Sequence, residues 1–238
     1  MRKRWVVFFL LCFGLMQAQE RRLPTDSVLI DYLKTASSFA TLYYGVEYEG
    51  YTQAKNQPYL TKAPCTKARL SYRHVLYPEV CLRLDVWKDE LSVLSPDLRY
   101  YVLFPEDVAF AEIFDKQLIY HQTNALPNSP STGYYFLIHD GDCKVLEKKY
   151  ASVLQRDKSI RTEWTVLDFT VKTRYYLLKD GVYHAINSKS ALLKTLSSHQ
   201  KELKQFISSR RLSFKKDAVE LLIQTVREYE RLNPEPSS

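Results

Sequence analysis

The sequence predicts an α+β fold: an antiparallel β-meander, half-barrel or sandwich-like, with an N-terminal helix and a C-terminal helical segment. Three observations predict it. From Thr66 to about Ile186, apolar residues alternate or fall in short runs rich in tyrosine, valine, phenylalanine and leucine, which suits half-buried strands. Asp140-Gly141 and Asp180-Gly181 each separate two such runs, and Asp-Gly between apolar alternations is a hairpin signal because a tight turn needs positive φ. Outside this region the apolar spacing becomes helical at both ends. Helices of the βαβ type do not interrupt the strands, which argues against a parallel sheet.

In chain order, Val28, Leu29, Tyr32, Leu33, Ala36, Phe39, Ala40 and Tyr43 recur at helical spacing. Asp26 or Ser27 can cap that helix and Gly45 ends it. A tyrosine-rich stretch without clear period runs from Val46 to Leu60. Strands are expected near 68–72, 80–87, 91–94, 99–104, 108–114, 117–121, 133–139, 143–148, 164–171, 174–179 and 182–186. Leu126 to Thr132, with Pro-Asn-Ser-Pro-Ser inside it, predicts a flexible loop. Leu192, Leu193 and Leu196 mark a short helix, and Leu203, Phe206 and Ile207 a second. Val219, Leu222, Ile223, Val226 and Tyr229 mark a longer third, with Ser213 as its expected cap and Asn233-Pro234 as its stop.

The chain opens Met1-Arg2-Lys3-Arg4, continues with an uncharged apolar run from Trp5 to Met16, and reaches Ala18 before Glu20. That is the order of a cleavable signal peptide, and the run is too short to span a bilayer. The expectation is a signal at 1–18, a β-meander with its N-terminal helix at 19–187, and a helical segment at 188–238. Cys12 lies inside the apolar run after Leu10-Leu11, which argues against a lipid anchor and for a soluble exported chain, periplasmic or secreted. The whole chain carries +7, but three positive charges lie in the signal. Residues 19–187 balance 21 basic against 21 acidic side chains, whereas 188–238 carry ten basic and six acidic. This pattern excludes a dense nucleic-acid patch. It is compatible with contact to anionic lipid headgroups or surface polysaccharide. After cleavage three cysteines remain, of which Cys65 and Cys81 flank a candidate hairpin and are the expected disulfide, leaving Cys143.

Several stretches carry a resemblance: Leu42-Tyr43-Tyr44-Gly45-Val46-Glu47-Tyr48, Leu84-Asp85-Val86-Trp87-Lys88-Asp89-Glu90-Leu91, Gly133-Tyr134-Tyr135, Tyr176 to Tyr183, Glu202 to Ile207 and Leu212 to Lys216. In order and spacing the chain resembles an uncharacterised family of small exported β-rich proteins from Gram-negative bacteria. The resemblance implies export and the same domain plan, and lends no activity.

Candidate chemistry is sparse. His139-Asp140-Gly141-Asp142-Cys143 is the most site-like cluster, but alternation and the turn separate its side chains, and an EF-hand's oxygen ligands are missing. Neither a metal nor another cofactor is expected. The histidines at 74, 121, 139, 184 and 199 show no zinc spacing. A Cys–His pair of Cys143 with His121 or His184 would need assembly by the fold. No catalytic residue is assigned. Tyrosines are abundant: the doublets Tyr100-Tyr101, Tyr134-Tyr135 and Tyr175-Tyr176 suit strands with one ring of each facing the core. Tyr48 and Tyr51 stand in a polar region as candidates for exposed binding contacts. The leading expectation is therefore an exported cell-envelope protein with a non-catalytic interaction or scaffolding role. Its partner would be another envelope protein or a surface glycan, with no nucleic acid and no membrane span. The alternatives are a carbohydrate- or peptide-binding module using the tyrosines, and a hydrolase with a fold-assembled site.

Overall fold

The computed structural model describes residues 39–156 and 166–233. The chain divides into two compact units, 1–39 and 40–238. Only Phe39 of the first is described, so the expected signal peptide and the expected start of the N-terminal helix lie outside the described residues; residues 39–42 are helical.

Eleven strands form one antiparallel sheet: β1 (Val46–Glu47), β2 (Thr66–Tyr72), β3 (Val75–Asp85), β4 (Glu90–Leu94), β5 (Tyr100–Val102), β6 (Val108–Ile113), β7 (Lys116–His121), β8 (Gly133–Asp140), β9 (Lys144–Arg156), β10 (Val166–Lys179) and β11 (Val182–Ile186). Their spatial order is β1-β5-β4-β3-β2-β6-β7-β8-β9-β10-β11. The α+β meander expected from the sequence is thus present as two meanders, β2–β5 and β6–β11, joined where β6 returns beside β2. Among the described residues all of these strands belong to this one sheet. Three helices follow: α1 (Lys189–Thr195), α2 (Gln200–Ser209) and α3 (Ala218–Leu232).

One face of the sheet is buried along its length. Cross-strand partners share a face, and Leu84↔Leu91, Leu82↔Val93, Leu70↔Ala111, Ala111↔Leu118 and Leu118↔Phe136 are such pairs. Their side chains join one core with Leu42, Tyr72 and Leu103, formed as the sheet curls over itself. Beyond β8 the same face continues through Val145 and Leu177 and is covered by Leu192, Leu203, Leu221, Leu222 and Val226 of the helices. The helical segment therefore covers a face at one end of the sheet. On the opposite face Tyr135, Leu146 and Tyr183 form a small cluster. Both faces are covered here, so Tyr134 and Tyr135 are both buried, not one of the two.

Several local expectations are corrected. Strand β10 is a single strand, not two: its exposed middle, Val171-Lys172, has no apolar alternation yet stays paired to β9. Strand β1 has no signature in the sequence, being two exposed residues paired only to β5. The Asp180-Gly181 turn has both residues at positive φ (51° and 72°), whereas neither Asp140 nor Gly141 does. There the chain makes a wider turn around the Glu230 carboxylate, which accepts the Cys143 N–H at 3.0 Å. A Cβ on Gly141 would sit 2.5 Å from Glu230 Oε1. Asp217, not Ser213, caps α3: its side chain accepts the Glu220 N–H at 2.9 Å. The 126–132 loop is pinned rather than free. Tyr135 Oη donates to Ser131 O at 2.7 Å, and the Tyr183 N–H to Pro127 O at 3.0 Å.

Cys65 and Cys81 are joined by a disulfide with Cα atoms 5.4 Å apart, closing a 16-residue separation. It fastens the arm before β2 to the middle of β3. A closed loop of this length removes denatured-state entropy worth about 3 kcal/mol. Replacing both cysteines by serine is expected to lower the urea-derived unfolding free energy by about that amount; an unchanged midpoint would show the link to be energetically idle.

Candidate functional site

On the outer face of β3, Cys81, Arg83 and Asp85 alternate with the core residues Leu82 and Leu84. The tyrosine-rich stretch 48–64 crosses this face. It is held to β3 by Leu60 N–H on Leu84 O (2.9 Å) and Val86 N–H on Pro58 O (2.8 Å). On its other side it runs against β10, through Lys55 N–H on Leu167 O and Leu167 N–H on Gln53 O, both 2.9 Å. Asn56 extends that edge with its side chain, donating to Phe169 O and accepting from Phe169 N–H at 2.8 Å each.

Asp85 anchors the arrangement. It is buried, and its Oδ1 accepts the N–H groups of Trp87 (2.8 Å) and Lys88 (2.9 Å), fixing the β3–β4 turn. Its Oδ2 accepts the hydroxyls of Tyr48, at 2.6 Å, and Tyr51. Burial, and then the bond to Asp85, raise both phenols far above their ordinary pKa, so both remain donors. Tyr48 is therefore a core residue rather than an exposed contact, and Tyr51 is half-buried between Trp87 and Phe169. The expectation of exposure fails because their acceptor lies 37 and 34 residues away in sequence.

Tyr48 and two further tyrosines frame a second group. The guanidinium carbon of Arg83 lies 4.4 Å, 4.6 Å and 3.3 Å from the ring centroids of Tyr48, Tyr59 and Tyr100. Arg83 Nε is buried with no hydrogen-bond partner among the described residues. Arg83 lines a groove of about 680 Å³ together with the 56–64 stretch, Tyr100, Phe169 and Val171. Nothing in the sequence singles out Arg83: a lone arginine alternating with leucines on a strand reads as a solvated outer face.

The other candidates are drawn into the structure. His139 Nε2 lies 2.8 Å from Glu230 Oε2 and ties β8 to α3. Cys143 is buried in the core beneath the helices, and burial raises its thiol to about 11. His121 packs against Tyr135 and Tyr183 within hydrogen-bond reach of Ser129, and His184 borders a separate pocket with Tyr183 and Lys194. Neither is brought to Cys143. Among the described residues, no three His, Cys, Asp or Glu side chains converge as a metal site would require, and no helix is long and apolar enough to cross a membrane. Compared with known proteins, the chain matches no family model, no curated protein and no solved structure.

Proposed function

We propose that this is a non-catalytic binding protein, exported to the cell envelope, that holds its ligand in the groove above Arg83. The observation that carries the reading is the groove itself: a concavity of about 680 Å³ lined by aromatic rings and by Arg83, whose side chain has no hydrogen-bond partner among the described residues. Volumes of about 300–1,000 Å³ lined by rings and a few polar groups are typical of small-ligand sites. The groove is also pre-formed, because the disulfide, the Asp85 bonds and the Asn56 clip fix its walls independently of any ligand. Pre-organised walls favour binding by lowering its ordering cost. The non-catalytic reading rests on Cys143 being a buried, weakly acidic thiol and on His139 and His121 being occupied in packing. Export is supported by the signal-like N-terminus and is compatible with the disulfide.

Val171 lines the groove and is 44 % exposed, so Val171→Trp fills the space without disturbing Asp85. Titration of envelope oligosaccharides and peptides against the wild-type chain and this variant is the test. The expected result is a ligand whose affinity falls about tenfold or more in the variant at unchanged melting temperature. Equal affinity would place binding elsewhere on the molecule.

A further inference from the structure

Resting on that reading, we infer that the groove recognises the carboxylate of an acidic sugar residue, with Arg83 as its receptor. The argument begins with what the three rings do for Arg83. Ring faces offset the desolvation of a guanidinium through cation–π attraction. They supply no acceptor in the plane where its five N–H groups point. Arg83 makes no hydrogen bond or ion pair with a described residue through its side chain, and its Nε is buried. The nearest carboxylate along the strand, Asp85, is already taken by two phenols and two backbone N–H groups. The rings thus hold the guanidinium in place with no hydrogen-bonding partner among the described residues; with Nε buried, its two terminal NH2 groups are what it offers to a carboxylate in two-point geometry.

Charge around the groove points the same way. Lys62 stands on its rim, and none of its lining residues is an aspartate or glutamate. The flanking backbone argues for a sugar over an extended peptide. A peptide strand binds by adding to a free edge; here the groups at Lys55, Pro58, Leu60 and Leu167 are already paired and Phe169 is satisfied by Asn56, which confines the open edge along the groove to the short stretch at Val171. Recognition is left chiefly to side chains: the rings of Tyr59 and Tyr100, the Thr61 hydroxyl, which leans on Ala63 O at 3.5 Å, and the Arg83 guanidinium. Flat apolar faces beside hydroxyl and cationic donors suit a pyranose ring bearing a carboxylate.

The test uses uronic-acid oligosaccharides and the same oligosaccharides after carboxyl reduction, titrated calorimetrically into the full exported chain. The acidic forms are expected to bind about tenfold or more tightly than their reduced partners, with the difference shrinking as salt rises. In Arg83→Met that difference disappears while binding of the reduced forms persists; in Arg83→Lys it returns only in part, because the ammonium lacks the fork. Lys62 is exposed, so Lys62→Ala leaves the fold intact and is expected to weaken only the acidic ligands, by about threefold. If acidic and reduced forms bind equally in the wild-type chain, the carboxylate assignment is overturned while the groove reading stands. Binding of peptides with free carboxyl termini and of no saccharide would overturn the sugar class. Failure of every saccharide and peptide, or binding indifferent to Val171→Trp, would overturn the groove reading itself.

Discussion

Asp85→Ala is expected to lower the unfolding free energy by about 4 kcal/mol, a large share of a single domain's margin. The carboxylate is 1 % exposed and four donors converge on it: the hydroxyls of Tyr48 and Tyr51, and the N–H groups of Trp87 and Lys88. Alanine leaves all four without their acceptor. Neither phenol escapes by ionising, since burial and Asp85 both hold its proton on. Asp85→Asn separates the two halves of the anchor. Its Oδ1 still receives Trp87 and Lys88, but its NH2 meets two hydroxyls that must rotate to accept. A loss of about 2 kcal/mol is therefore expected. Urea unfolding measures both, and amide exchange at Leu60 and Val86 reports whether the 48–60 stretch detaches, since these N–H groups bind it to β3. A loss below about 1 kcal/mol for the alanine variant, at unchanged exchange, would mean that the stretch is held by packing alone.

The strands are legible because one face of the sheet is buried from end to end, and alternation at Ala68-Leu70-Tyr72 or Val80-Leu82-Leu84 records that directly. The helices are legible through their leucines, and the disulfide partners through their position around one hairpin. What escapes depends on contacts distant in sequence. Tyr48 and Tyr51 look like surface residues because the region around them is polar; a single buried carboxylate on β3 draws them inward. Arg83 looks solvated because alternation assigns a face but not what covers it. The wide turn at Asp140-Gly141 is hidden for the same reason, since Glu230 enters it from a helix 87 residues later. The candidate groove belongs to this class of features: its walls come from the 56–64 stretch, β3, β5 and β10, and no local motif marks their meeting.

Lys148→Met is expected to cost about 4 kcal/mol, and adding Asp89→Asn to recover more than half of it. Asp89 sits in the β3–β4 turn, where its Oδ2 receives Lys148 Nζ at 2.5 Å and the Tyr134 N–H at 3.2 Å. Lys148 also donates to Tyr134 O at 3.0 Å. Together with the Ala151 N–H on Val86 O at 3.1 Å, the pair ties the turn of the first meander to β8 and β9 of the second. Gly133 is required there: its φ of +150° and the closeness of Asp89 and Lys148 leave no room for a Cβ. Burial is the largest influence on both partners, raising the Asp89 pKa and lowering that of Lys148 against their mutual attraction. The pair thus fixes geometry at a desolvation cost, and losing one member exposes that cost. Asparagine suits this position because Asp89 has a φ of 59°, a conformation that asparagine tolerates, and the amide oxygen still accepts from Tyr134. The pH dependence separates this account from simple loss of packing. Without Lys148, Asp89 keeps its burial and loses its main counter-charge, so its folded pKa rises further. A raised carboxyl pKa contributes stability that is full below the unfolded value and lost as pH climbs through the folded one. Lys148→Met should therefore lie nearest the wild type at low pH and fall steadily behind as pH climbs through the further-raised carboxyl value, while the double variant, which carries neither titrating group, shows none of this added slope. A deficit in Lys148→Met that stays constant across this range would assign the loss to the lysine's contacts with the Tyr135 ring and Tyr134 O instead of to the buried Asp89 charge.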